Sequence, residues 1–136
     1  MKATRIDHIA VAVKDLDGAV ETYRHNFDLQ KVSGGEVPSL GIHNAFLQIG
    51  GARIELITPA SATGPVAEFL EQSGEGMYLL SLEVEHLEEA VSHLQEAGAR
   101  VRIATGSTRQ RLAFVSPKST HGVLLQLLER DGASHD

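Results

Sequence analysis

Laid against itself so that Asp7 falls on Tyr78, the chain repeats. The segment D-H-I-A-V-A-V-K-D-L-D-G-A-V-E-T-Y from Asp7 meets Y-L-L-S-L-E-V-E-H-L-E-E-A-V-S-H-L from Tyr78. Ile9, Val11, Val13, Leu16, Ala19 and Val20 then coincide with Leu80, Leu82, Val84, Leu87, Ala90 and Val91. The same offset places R-I-E-L-I at 53–57 on L-L-Q-L-L at 124–128. An internal duplication constrains a fold more than residue propensities do, because one supersecondary unit must serve twice.

Within each copy the hydrophobic period changes in a fixed order. Residues 7–13 alternate, with Ile9, Val11 and Val13 on one face and His8, Ala10 and Ala12 on the other, which is a strand period. Asp15 is placed to cap a helix carrying Leu16, Ala19, Val20, Tyr23 and Phe27 at helical spacing and ending near Asn26. That helix is expected to cover the Ile/Val face and leave His8 on the opposite one. Gly34-Gly35 and Pro38 are read as turns before an alternating run from Ile42 to Ile49. Gly50-Gly51 then makes a hairpin into Arg53–Ile57. After Pro59–Gly64, Pro65 can open a short helix with Val66, Phe69 and Leu70 inward. The second copy predicts a strand at 78–84, a helix about 87–97 closed by Gly98, strands near 100–104 and at 111–116, a turn from Pro117 to Gly122, and a strand at 122–128. The expected fold is α+β, a single domain of two βαβββ modules: module one about 5–58, a linker and short helix about 59–76, and module two about 77–129.

Composition narrows the function. At 136 residues and 42% hydrophobic, the chain is the size of one domain with its own core. No stretch approaches the roughly 20 apolar residues that span a bilayer, and the N-terminus has no signal-peptide pattern, so no membrane association and a cytoplasmic location are expected. With no cysteine, any metal must be held by His, Asp, Glu or amide oxygen. A net charge of −6 without a Lys/Arg run argues against nucleic acid as a partner.

Several short motifs carry a resemblance across nearly the whole chain: H-I-A-V-A-V-K-D-L at 8–16, E-V-P-x-x-G at 36–41, A-F-L at 45–47, I-E-L-I-T-P at 54–59, G-E-G at 74–76 and P-K-S-T-x-G-V-L at 117–124. With the tandem modules, they resemble the vicinal oxygen chelate superfamily of glyoxalase I, extradiol dioxygenases and bleomycin-resistance proteins. The pattern is most similar to its methylmalonyl-CoA epimerase branch. The resemblance implies an open, curled mixed β-sheet cup with helices outside, a divalent metal on four inward side chains, and a homodimer.

In that register His8 and Glu55 take the first and second ligand positions. The third, histidine in the epimerase pattern, is Leu79, which has no donor atom. The fourth is Gln126, whose amide oxygen is a weaker ligand than a carboxylate. The implied metal set is therefore His8, Glu55 and Gln126, holding cobalt, nickel, manganese or zinc, with the substitution at Leu79 leaving room for no metal at all. Gln126 could instead hydrogen-bond Glu55 or His8. One acid–base group of the branch corresponds to Gln126 and another to the strand holding Asn44; neither amide can act as a base. Among Glu55, Glu83, His43 and Tyr78, strand parity puts Glu83 on the cup face with Ser81 and Leu79, making Glu83 the candidate catalytic base. His25, His86, His93 and His121 read as solvated, as do Arg109 and Arg111 near a turn at the rim. Lys118 and Ser119 match the family motif.

The function these residues imply is an epimerase-like isomerase, acting through an enolate on a small acyl-CoA or related carbonyl compound. The alternatives are metal-free: a small-molecule binding or sequestering protein, or a lyase or isomerase of a biosynthetic pathway. With only 4 Phe, 2 Tyr and no Trp, stacking on a large planar ligand is poorly served.

Overall fold

The computed structural model describes residues 2–106 and 110–129. Eight strands and three α-helices follow in the order β1 (Ala3–Ala12), α1 (Leu16–Phe27), β2 (Lys31–Val37), β3 (Ile42–Ile49), β4 (Ala52–Pro59), α2 (Pro65–Ser73), β5 (Gly76–Val84), α3 (Leu87–Glu96), β6 (Val101–Thr105), β7 (Arg111–Val115) and β8 (Leu125–Glu129). The fold is α+β, with the βαβββ order written twice. Two compact units divide the chain, and the division falls inside strands. The first unit is His8–Leu79; the second joins Leu80 and the residues after it to Asp7 and those before it.

In the first unit the strands lie in the order β2-β3-β4-β1, with β1 parallel to β4 and the other pairs antiparallel. In the second the order is β5-β8-β7-β6, with β5 parallel to β8. The registers bear out the duplication residue by residue. Ala10 stands opposite Glu55 on β4, and Ser81 stands opposite Gln126 on β8, which are the same two positions of the repeat. The helices keep the offset too, with α1 opening at Leu16 and α3 at its counterpart Leu87.

Asp15, extended in its backbone, caps α1 by accepting a hydrogen bond from the Gly18 N–H at 3.1 Å. Leu16, Ala19, Val20 and Tyr23 pack with Val11 and Ile54 around buried Val13, Leu47 and Leu56. Each fully buried leucine contributes about 2 to 3 kcal/mol relative to exposure. Because side chains alternate along a strand, covering this face with α1 turns His8, Ala10 and Ala12 to the other one. In the second unit α3 covers the corresponding face with Leu87, Ala90 and Val91 against Val84, Ala113, Val115 and Leu127.

Three local expectations need correction. Gly34-Gly35 is not a turn; both residues lie within β2, paired to Ala45 and Asn44. A polar edge strand reading K-V-S-G-G-E-V has no alternation to reveal it. β1 begins at Ala3 rather than at residue 7, and β8 begins at Leu125 rather than 122, because a short 3₁₀ turn at Pro117–Ser119 and left-handed His121 carry the chain further before pairing resumes. Among the described residues no helix is long and apolar enough to cross a membrane.

Candidate functional site

The face of the first unit away from α1 carries a buried polar chain across three adjacent strands. His8 on β1, Glu55 on β4 and Asn44 on β3 are 4%, 8% and 6% exposed. Burial this deep is costly for an ionisable or amide group without partners, so the contacts define the site. His8 Nε2 lies 3.2 Å from Glu55 Oε1. The other carboxylate oxygen, Oε2, accepts a hydrogen bond from Asn44 Nδ2 at 2.8 Å. Asn44 Oδ1 in turn accepts the Gly35 backbone N–H at 3.1 Å. That last bond depends on β2 coming unusually close, since a Cβ at Gly34 would sit 2.4 Å from the Asn44 carbonyl oxygen. Glycine is required there by contact and by φ of +145°. The His8 ring meets Phe46 edge-on, with centroids 5.4 Å apart, and the Arg53 guanidinium stacks on the same Phe46 ring. Ala10 and Ala12, on the same strand parity as His8, are fully buried. An open cavity of about 380 Å³ adjoins Asn44, with Gly35, His43, Lys14 and Lys31 in its wall.

The second unit has its own buried polar pairs. Ser81 Oγ donates to Gln126 Oε1 at 2.8 Å. The Gln126 carbonyl is thus engaged by a residue of its own unit, a partner the sequence reading, which offered Glu55 or His8, does not contain. Glu83 is buried on the same strand parity as Ser81, and its Oε1 accepts from Thr4 Oγ1 at 3.0 Å. Leu79, the last residue of the first unit, is buried and apolar. Tyr78 projects the other way and packs edge-on against Phe69 of α2. His25, His86, His93 and His121 are exposed, as expected. Arg111 pairs with Glu88 on α3 at 2.5 Å, and Arg109 lies outside the described residues.

Do these residues fit a divalent metal? Two ligands about 2.0 to 2.2 Å from one cation, at a right angle, stand about 3 Å apart. His8 Nε2 and Glu55 Oε1 meet that spacing. Outer-shell hydrogen bonds that orient ligating groups are the usual companions of such donors, and Asn44 supplies one to Glu55. Among the described residues no three His, Asp or Glu side chains come together, so a metal here would be held by fewer charged donors than four.

Sequence reasoning places His8, Glu55 and Gln126 on their strands but misses what Asn44 and Ser81 do. The signal for Ser81 is present, since the offset that carries Ala10 and Glu55 to the second copy lands on Ser81 and Gln126.

A tandem βαβββ fold with a buried His–Glu pair on its first and fourth strands defines a class. Residues 7–114 match the glyoxalase/bleomycin resistance protein/dioxygenase superfamily, and the chain belongs to it. Among characterised relatives, it is 32% identical over 128 residues to the ethylmalonyl-CoA/methylmalonyl-CoA epimerase of Cereibacter sphaeroides, covering 90% of this chain and 96% of that protein. Methylmalonyl-CoA epimerase from Mycobacterium tuberculosis superposes with a TM-score of 0.89 at 29% identity, over 98% of this chain and 93% of the other. A variant of the Streptomyces coelicolor epimerase in complex with 2-nitronate-propionyl-CoA gives 0.89 at 29% identity, over 96% and 99%.

Proposed function

We propose that this chain is an isomerase of the methylmalonyl-CoA epimerase kind, moving the proton beside the thioester carbonyl of a small acyl-CoA through an enolate. The observation that carries the reading is the buried pair of His8 Nε2 and Glu55 Oε1 at 3.2 Å, in a chain that matches epimerases along nearly its whole length. His8 and Glu55 would hold a divalent cation, cobalt, nickel, manganese or zinc; the family resemblance adds Gln126 as a third donor. Such an ion supplies Lewis acidity toward a carbonyl oxygen. Glu83 is the proposed base, with the Thr4 hydroxyl on Oε1 orienting its carboxyl group. The resemblance also carries a cytoplasmic homodimer into this reading.

The test is methylmalonyl-CoA in deuterated water, with mass spectrometry following deuterium uptake next to the carbonyl. Exchange that needs added cobalt and disappears in His8→Ala supports the proposal. Cobalt binding near one per chain with no exchange would overturn the substrate. Leu79, where the family has a histidine, favours a second reading, a metal-free binding protein or lyase. Its mark would be wild-type protein that takes up no more cobalt than His8→Ala.

A further inference from the structure

The internal repeat supplies a control on the site. In the first module the side chain that bonds Glu55 comes from β3 as Asn44, and the residue opposite Glu55 on β1 is Ala10. In the second module the side chain that bonds Gln126 comes from β5 as Ser81. The β7 position equivalent to Asn44 is fixed by register: Asn44 pairs with Ile57, and Leu112 pairs with Leu128, the counterpart of Ile57 in the repeat. So one module has Asn44 with Ala10, and the other has Leu112 with Ser81. The hydrogen-bonding residue has moved from one flanking strand to the other. Neither alanine nor leucine has a side-chain group to hydrogen-bond. If these positions only filled space, nothing would link the two exchanges; what both modules keep is one bond to the long polar side chain on β4 or β8.

We infer that Asn44 and Ser81 are positioning residues, each fixing the rotation of the neighbouring Glu55 or Gln126 so that a chosen oxygen faces the site. Asn44 is itself held in one sense. Its Oδ1 takes the Gly35 N–H, so its Nδ2 must face Glu55, and the donated bond occupies Oε2. Glu55 is left with Oε1 toward His8. The Ser81 hydroxyl donates to Gln126 Oε1 and ties the end of that side chain to β5. A long side chain fixed before its ligand arrives loses less entropy on binding, which is how outer partners raise affinity.

The variants are Asn44→Leu and Ser81→Ala, each installing what the other module uses, with Ser81→Thr as the version that keeps the hydroxyl. Two readouts are used, neither of them turnover. The first, on metal-free protein above the usual imidazole titration range, is the His8 ring tautomer by long-range nitrogen–proton NMR. Wild type should show the proton on Nε2, facing Glu55; Asn44→Leu should give mixed tautomers, and Ser81→Ala should leave His8 unchanged. The second is cobalt affinity from titration of its visible spectrum, expected to fall about 10- to 100-fold in both variants and to recover in Ser81→Thr. The cobalt measurement rests on the proposed function; the tautomer measurement does not. Should wild type bind no cobalt, the metal reading falls and the tautomer still decides for Asn44. An unchanged tautomer in folded Asn44→Leu, or cobalt affinities within twofold of wild type, would overturn the inference. If Asn44→Leu does not fold, Asn44→Ala takes its place.

Discussion

Substituting alanine at Gly34 should do disproportionate damage for one methyl group. The added Cβ would stand 2.4 Å from the Asn44 carbonyl oxygen and 2.8 Å from the Ala45 Cα, about 1 Å inside ordinary contact. Both obstacles are backbone, so β2 must retreat by about that distance. The Gly35 N–H to Asn44 Oδ1 bond, now 3.1 Å, would open to about 4 Å, beyond hydrogen-bond range. An L residue at φ near +145° adds strain of about 1 to 3 kcal/mol, and the lost bond about 1 kcal/mol more. The expected loss is about 2 to 4 kcal/mol, read from urea unfolding with an unchanged slope. Gly35→Ala is the matched control, because its Cβ would meet nothing within 4 Å although its φ is +158°. The reasoning fails if Gly34→Ala costs no more than Gly35→Ala.

Other outcomes follow from the same geometry. Leu79→His buries an imidazole, so the metal-free variant should lose about 1 to 3 kcal/mol; if position 79 completes a metal set, cobalt at about 100 times its dissociation constant should return about 2.7 kcal/mol. Thermal unfolding with and without cobalt checks this, and a metal-induced rise no larger than that of wild type would refute it. Glu83→Gln should keep the fold, since its amide oxygen can still accept from Thr4, yet lower deuterium uptake at least about a hundredfold; uptake within threefold of wild type would remove Glu83 as the base. Asp15→Ala removes the α1 cap and should cost about 1 kcal/mol in equilibrium unfolding, with cobalt binding unaltered.

Much of the fold was legible because the repeat is carried by its most hydrophobic strands and helices, where burial enforces period and register together. The offset that lays Asp7 on Tyr78 placed β1 with β5, α1 with α3 and β4 with β8. It hid the relation of β3 to β7, because the segments between the matched strands differ in length: the offset lays Asn44 on Val115, whereas strand register lays it on Leu112. Asn44 therefore had no visible counterpart in sequence. β2 was hidden for another reason. Its glycines serve a close approach between strands, and a close approach leaves no trace in hydropathy. The offset carries Ala10 and Glu55 onto Ser81 and Gln126, but the bonds Asn44–Glu55 and Ser81–Gln126 were not readable, because they are cross-strand contacts that depend on which strands are neighbours.

The division of the chain within β1 has a consequence for truncation. His8–Leu79 is contiguous, so the unit that holds His8, Asn44 and Glu55 is drawn from one unbroken stretch of chain. The other unit joins segments far apart in sequence, and Thr4 bonds Glu83, 79 residues further along the chain. The segment 2–7 thus belongs structurally with residues that follow it by more than seventy positions, and cutting it away would injure that unit rather than the one it adjoins in sequence.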